Sequence, residues 1–293
     1  MHEILELAEK KTVVFDGAMG TMLMAAGLKA GESPELWNIE KRSLLMEIHK
    51  KYYEAGSDVI HTNTFGGNAV KLGDRGLSDR MEKVNVEAAK LAREACPAGK
   101  LVAGDIGPTG KLMKPLGELA LEEAEEAFFM QAQALLKGGV DLISIETMFS
   151  LQEALAAVRA AKRLGSILVI GAVTYNKTKK GFFTMMGESV SQVVSALEDA
   201  GSDVIGSNCT LGSKEMIELT AEIRRATKKP ILIQPNAGKP VTQKGVTTYQ
   251  QSPAEFAENG KLIKAAGADM IGGCCGTNPA FIRALAQALG NFP

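Results

Sequence analysis

A hexapeptide that occurs twice constrains the architecture most. Ala55-Gly-Ser-Asp-Val-Ile60 returns unchanged as Ala200-Gly-Ser-Asp-Val-Ile205, and looser copies stand at Gly138–Ile143 and Ala266–Ile271. In each copy a helix-period run ends at glycine, an aspartate follows, and an apolar run begins. That is the punctuation of a helix handing over to a strand. The four aspartates are Asp58, Asp141, Asp203 and Asp269. Successive ones are spaced by about two strand–helix units of roughly 30 residues each. The copies therefore mark every second strand of a longer series.

The remaining members follow from the same pattern. Short apolar runs stand at Thr12–Asp16, Asp58–Thr62, Lys100–Asp105, Asp141–Glu146, Ile167–Val173, Asp203–Asn208, Ile231–Pro235 and Met270–Gly273. Amphipathic stretches alternate with them: Ser43–Glu54, Asp79–Ala95, Leu121–Lys137, Leu151–Leu164, Ser189–Ala200, Lys214–Thr227, Ala254–Ala266 and Pro279–Leu289. Such alternation implies a parallel sheet with right-handed crossovers. Eight units in 293 residues fit the α/β class and a closed (β/α)8 TIM barrel, with a doubly wound open sheet as the alternative. No linker or low-complexity tract interrupts residues 1–293, so they are expected to form a single barrel domain.

Net charge is −1, from 33 basic and 34 acidic residues that are well mixed. This gives no electrostatic case for a nucleic-acid or anionic-membrane partner. No apolar run approaches the roughly 18 residues of a membrane span, and acidic residues interrupt the N-terminus where a leader needs an apolar core. Four cysteines are too few for a disulfide framework in a chain this long. A cytoplasmic, reduced protein is expected.

In a barrel of this kind the chemistry lies where strands end. Those ends carry Asp16-Gly17, Thr62-Asn-Thr64, Asp105, Glu146-Thr147, Thr174-Tyr175, Asn208-Cys209, Asn236 and Cys274-Cys275. No lysine is among them, which argues against Schiff-base chemistry. Cys209 closes the sixth strand, and Cys274 and Cys275 follow the eighth. Three thiols from two strands suit a zinc ion that keeps one position open. Neighbours in an extended strand point to opposite faces, so joint ligation by Cys274 and Cys275 requires irregular backbone, which Gly272, Gly273 and Gly276 permit. Coordination would deprotonate an incoming thiol and leave it nucleophilic. Burial as small hydrophobes is the bland alternative, and it is the reading preferred for Cys96.

The ordered segments Asp16-Gly-Ala-Met-Gly-Thr21, Thr62-Asn-Thr-Phe65, Gly104-Asp-Ile-Gly-Pro-Thr-Gly110, Glu146-Thr147, Asn208-Cys209, Pro235-Asn-Ala-Gly238 and Gly272-Gly-Cys-Cys-Gly-Thr277 resemble the homocysteine methyltransferases. They are most similar to the homocysteine-binding module of cobalamin-dependent methionine synthases. The resemblance runs almost end to end. It implies zinc thiolates at Cys209, Cys274 and Cys275, with Asn236 a fourth ligand when substrate is absent. It also implies that Asp16 and Glu146 hold the substrate amino group, that the backbone of Gly17, Ala18 and Met19 meets the carboxylate, and that Asn208 belongs to the substrate set. Ends of strands one and four can meet across a barrel mouth, and glycine-flanked N–H groups suit a carboxylate.

Two departures stand out. Thr210 follows Cys209 where the synthases more often have a small residue, and His61 precedes the Thr-Asn-Thr-Phe run. His61 is expected to be packed or hydrogen-bonded rather than catalytic. Asp105 is expected to be structural, on a rim loop facing the methyl donor. The length leaves no space for a pterin or corrinoid domain, so the expected donor is a methyl-corrinoid on a separate protein. S-methylmethionine and S-adenosylmethionine are the alternative donors. A non-catalytic zinc or thiol sensor, or a phosphate-binding barrel, represents a different class.

Overall fold

The structure is a computed structural model and describes residues 2–243 and 246–292. Eight parallel strands form its centre: β1 (Val13–Val14), β2 (Val59–His61), β3 (Leu101–Ile106), β4 (Leu142–Met148), β5 (Leu168–Val173), β6 (Val204–Gly212), β7 (Ile231–Asn236) and β8 (Met270–Ile271). Their order in the sheet follows the chain from β2 to β8, and β8 pairs with β1. A parallel bridge between Phe15 and Val59 joins β1 to β2 and closes the ring. Sheet order that follows chain order and returns to its start is a (β/α)8 barrel. An open doubly wound sheet would reverse its order at a switch point, and this one does not.

The surrounding helices are α1 (Arg42–Glu54), α2 (Met81–Ala95), α3 (Leu121–Gly138), α4 (Leu151–Lys162), α5 (Val190–Asp199), α6 (Ser213–Ala226), α7 (Pro253–Ala265) and α8 (Pro279–Ala288). Their starts are written locally. Ser189 and Gln192 form a reciprocal capping box on α5, and Ser252 and Asn278 cap α7 and α8 ahead of a proline in the first turn. Among the described residues no helix is long and apolar enough to cross a membrane.

Alternate strand residues point inward, and the inward set changes character along the axis. At the N-terminal end Val13, Phe15, Val59, Leu101, Leu142, Leu168, Val204, Leu232 and Met270 form one apolar cluster, with Ile4 of a further helix (Glu3–Lys10) packed into it. One or two alternations later the same strands present His61, Asp105, Ser144 and Glu146, Asn208, and Gln234 and Asn236. The barrel is thus sealed by hydrocarbon at one end and lined by polar groups at the other.

The repeated aspartates lie at the sealed end, and each makes the same clamp. Asp58 donates its N–H to Val14 O (2.7 Å) and accepts Val14 N–H on its carboxylate (3.1 Å). Asp141 treats Val102 in this way, Asp203 treats Val169, and Asp269 treats Ile231. Each carboxylate also meets a cation: Lys11 and Lys100 at Asp58, Arg93 at Asp141, Lys162 at Asp203 and Arg224 at Asp269. The clamp pins every even strand in register with the odd strand before it.

Boundaries differ from the sequence reading where the backbone leaves regular geometry. β8 is shorter than Met270–Gly273, and β6 runs past Asn208 to Gly212 through an irregularity. The helix Glu3–Lys10 and two hairpins, Asn176–Thr178 with Gly181–Phe183 and Pro240–Gln243 with Val246–Tyr249, were not anticipated. The 176–178 strand is fully exposed, so no apolar alternation marks it.

Candidate metal centre and substrate pocket

β6 stays extended to Asn208 and then breaks. Cys209 and Thr210 take φ values of 58° and 61°, and the register against β7 slips between Asn208 and Gly212. Two successive non-glycine residues in the left-handed region cost of order 1–3 kcal/mol each. The kink brings Cys209 Sγ to 3.8 Å from Cys275 Sγ. All three thiol sulfurs, Cys209, Cys274 and Cys275, lie within 4.8 Å of one another.

The turn carrying the tandem pair is held from several sides. Cys274 N–H donates to Pro235 O (2.7 Å), and Cys275 O accepts Ala237 N–H (2.9 Å). The Thr277 hydroxyl donates to Cys274 O (2.7 Å) and accepts Ala18 N–H (3.1 Å), while Gly276 N–H reaches the Thr21 hydroxyl (3.1 Å). Gly276 has φ of 83°, and a Cβ on Gly273 would sit 2.5 Å from Thr277 Oγ1. The expected irregular backbone is therefore present, enforced by a positive φ at one glycine and close packing at the other.

The donor set fits a metal ion. Sulfurs at about 2.3 Å from a tetrahedral centre stand about 3.8 Å apart, the separation of Cys209 and Cys275. Asn236 Oδ1 is buried without a hydrogen-bond partner among the described residues. Its flanking residues, Pro235 and Ala237, are the ones whose backbone binds the cysteine turn. Electrostatics agree. Hydrogen bonds from Cys209, Cys274 and the Tyr249 hydroxyl hold the Cys275 thiol down at about 3, against burial. Hydrogen bonding to the Cys209 and Cys275 sulfurs, with burial, pushes Cys274 well above the ordinary thiol range. Without a cation one sulfur ionises at its neighbours' expense; a dication would let all three do so.

Next to the thiols lies a buried acidic cluster. Asp16 accepts His61 N–H on Oδ2 (2.9 Å), and its Oδ1 lies 2.8 Å from His61 Nδ1. His61 Nε2 is 3.1 Å from Ser144 Oγ. Burial opposes a charge on His61, but Asp16, with Asp105 and Glu146 behind it, raises its pKa to about 9. Burial lifts Glu146 to about 7; His61 opposes this, and Cys275 and Asp16 add to it. Burial and Glu146 push Asp105 well above the carboxylate range, and its Oδ1 has no partner among the described residues. Asn208 Nδ2 donates to Glu146 Oε2 (3.1 Å) and Thr147 Oγ1 (2.7 Å) and lies 3.7 Å from Cys274 Sγ, while its Oδ1 accepts Thr147 N–H (2.7 Å). One amide therefore ties the carboxylate to the thiol centre and fixes Thr147, itself at φ of 57°.

A cavity of about 290 Å³ opens above these groups. Gly17, Ala18, Met19, Glu146 and all three cysteines line it, as do His61 and Asp105. Asp16, Asn208 and Asn236 are buried beneath that wall, at 1%, 0% and 3% exposure. Of the three amides at Gly17–Met19, that of Ala18 is already committed to Thr277. Sequence reasoning missed Tyr249, which the hairpin leans over the thiols, and the buttressing hydroxyls of Thr21 and Thr277. Thr277 had a visible signal, since it ends the Gly-Gly-Cys-Cys-Gly-Thr motif; Tyr249 had none.

Residues 13–289 match a family model described as homocysteine S-methyltransferase. Two proteins named methionine synthase, from Mycobacterium tuberculosis and Mycobacterium leprae, are 34% and 32% identical over 99% and 98% of this chain. The chain spans only 26% and 25% of their lengths. Among solved structures, the metallated homocysteine methyltransferase MmuM from Escherichia coli superposes with a TM-score of 0.81 at 24% identity, covering 97% of this chain and 99% of that one. At that identity the likeness is one of fold.

Proposed function

We propose that this chain, which belongs to the homocysteine S-methyltransferase family, acts over residues 1–293 as a zinc-dependent homocysteine-binding barrel that accepts a methyl group and forms methionine. The observation that carries this reading is the convergence of Cys209, Cys274 and Cys275 within 4.8 Å at the mouth. A zinc ion held there supplies positive charge that ionises an incoming thiol and offers it a coordination position. Four free cysteines suit a reducing cytoplasm.

The chain's own residues bind and orient. Glu146 on the cavity wall and Asp16 just beneath it would receive the substrate ammonium, and the Gly17–Met19 turn the carboxylate. Asn236 would be the further ligand before substrate arrives. Asn208 keeps Glu146 and Cys274 in fixed relation, so the amino-acid clamp and the sulfur site are positioned as one unit. Holding the thiol in place lowers the entropy cost of transfer. In the transfer the methyl group leaves its donor without the bonding electrons, sulfur supplies the pair for the new S–C bond, and the thiol proton is released.

The proposed donor is a methyl-corrinoid on a separate protein, a reading supported by the match of 99% and 98% of this chain to parts of two proteins named methionine synthase. Zinc-loaded protein mixed with homocysteine and, in turn, methylcobalamin, S-methylmethionine and S-adenosylmethionine tests it. Methionine formed from methylcobalamin is the expected result. Turnover with a sulfonium donor and none with methylcobalamin overturns the donor assignment, and no turnover with any of them overturns the activity.

A further inference from the structure

One polar group at the mouth is not used by the proposed reaction. His61 lies on β2, inward-facing and 7% exposed, with its ring tilted against Phe15 at 5.3 Å between centroids. It takes both oxygens of Asp16, one through the backbone N–H and one through Nδ1. The carboxylate meant to face a substrate ammonium group therefore already has a partner within the protein. Around the ring stand Asp16 at the end of β1, Asp105 on β3, and Ser144 and Glu146 on β4, so three carboxyl groups surround one imidazole.

We propose that His61 is a specificity-determining residue: a built-in cation that satisfies Asp16 in place of the substrate ammonium and so opens the site to thiols that carry a carboxylate but no α-amino group. This rests on the reading of Asp16 and Glu146 as an amino-acid clamp. An empty acidic clamp penalises a ligand without an amine, because buried carboxylates are then left unpaired. With His61 in place that penalty is already relieved for Asp16. An arriving ammonium group gains less, because it enters beside a positive ring. The elevated pKa of His61, about 9, keeps the ring protonated at neutral pH, in line with its two contacts to Asp16.

The test compares L-homocysteine with its des-amino analogue, 4-mercaptobutanoate, as ligands of the zinc-loaded protein by titration calorimetry. His61→Asn is the informative variant, since an asparagine amide N–H can sit near the Nδ1 position and keep a hydrogen bond to Asp16 without the charge. In the wild type the two affinities should lie within about tenfold, and in H61N the preference for homocysteine should grow by about another tenfold. Equal preference in both proteins, with homocysteine still bound, overturns the role of His61 and leaves the homocysteine reading intact. Failure of the wild type to bind homocysteine overturns both.

Should H61N not fold, nitrogen-15 NMR of histidine-labelled wild type gives a second readout. The chain has three histidines, and His49 is buried, without partners at either ring nitrogen and held neutral, at about 3, by burial. At pH 7.5 the His61 ring should carry protons on both nitrogens, shift on adding homocysteine, and stay unmoved with 4-mercaptobutanoate. A neutral His61 ring, or the same response to both thiols, contradicts the proposal.

Discussion

The two ends of the barrel handle charge in opposite ways. At the N-terminal end each of four aspartates has its carboxylate on a strand N–H and against a lysine or arginine. At the C-terminal end the carboxylates crowd one another, three thiols press together, and Asn236, Gln234 and Asp105 each leave an oxygen without a partner among the described residues. Left-handed backbone at Thr147, Cys209 and Thr210 belongs to this end too. One rim uses polar groups to fix register; the other holds them unsatisfied for something that arrives. Mutations at the first should cost stability and spare chemistry, and those at the thiol centre of the second should do the reverse.

The sharpest separation should come from Cys209→Ala. It removes one of three clustered sulfurs, so zinc retention and methyl transfer should fall together, turnover by about a thousandfold or more. The melting point of the metal-free protein should stay within a few degrees of wild type. Elemental analysis, a turnover assay and calorimetry check the three parts, and a large loss of apo stability would blur the division between the ends.

Asp58→Ala is the mirror experiment. Asp58 is 3% exposed and faces two lysines, so its loss should cost about 3 kcal/mol in urea unfolding. Activity per folded molecule should be unchanged. Asp141 makes the same clamp at 33% exposure, and Asp141→Ala should cost only about 1 kcal/mol, because solvent screens the pair. Equal costs would show that burial does not grade the four clamps.

The mouth should also reveal its charge through pH. The pKa of His61 is raised from 6.5 to about 9, so the folded state holds that proton more tightly than the unfolded chain does. The associated stability is fully present below pH 6.5 and is lost as pH rises through 9, amounting to roughly 3 kcal/mol by linkage. Unfolding measured from pH 6 to pH 10 should show this decline in wild type and lack it in H61N. Thr277→Val should have the smallest effect. It breaks the hydroxyl link between Cys274 O and Ala18 N–H and should weaken zinc binding by about tenfold, read by competition with a chelator.

Much of this division was legible in the chain. The repeated Gly-x-Asp-apolar junctions marked the even strands, and strand ends collected the thiols, Asp16 and Glu146. The repeat itself was read only as punctuation. Its clamp could not be seen, because each aspartate bonds a residue on the preceding strand, tens of positions away. His61 illustrates the same limit. Alternation from Val59 places it on the inner face, but its bond to Asp16 depends on β1 and β2 closing the ring. The left-handed turn at Cys209 had no signal at all, since neither cysteine nor threonine advertises a positive φ. Tyr249 rides on a hairpin between β7 and α7 whose residues 244–245 lie outside the described structure, and nothing in its sequence context points at the thiols.

If Cys209, Cys274 and Cys275 together hold one zinc ion and keep a position for a substrate sulfur, the metal's shell must change when substrate binds. Zinc-edge X-ray absorption of the loaded protein, with and without homocysteine, measures this directly. Three sulfur neighbours at about 2.3 Å with one lighter atom, rising to four sulfurs when homocysteine is added, is the expected pair of spectra. A first shell that homocysteine does not change, or one with fewer than three sulfurs before it is added, contradicts the account.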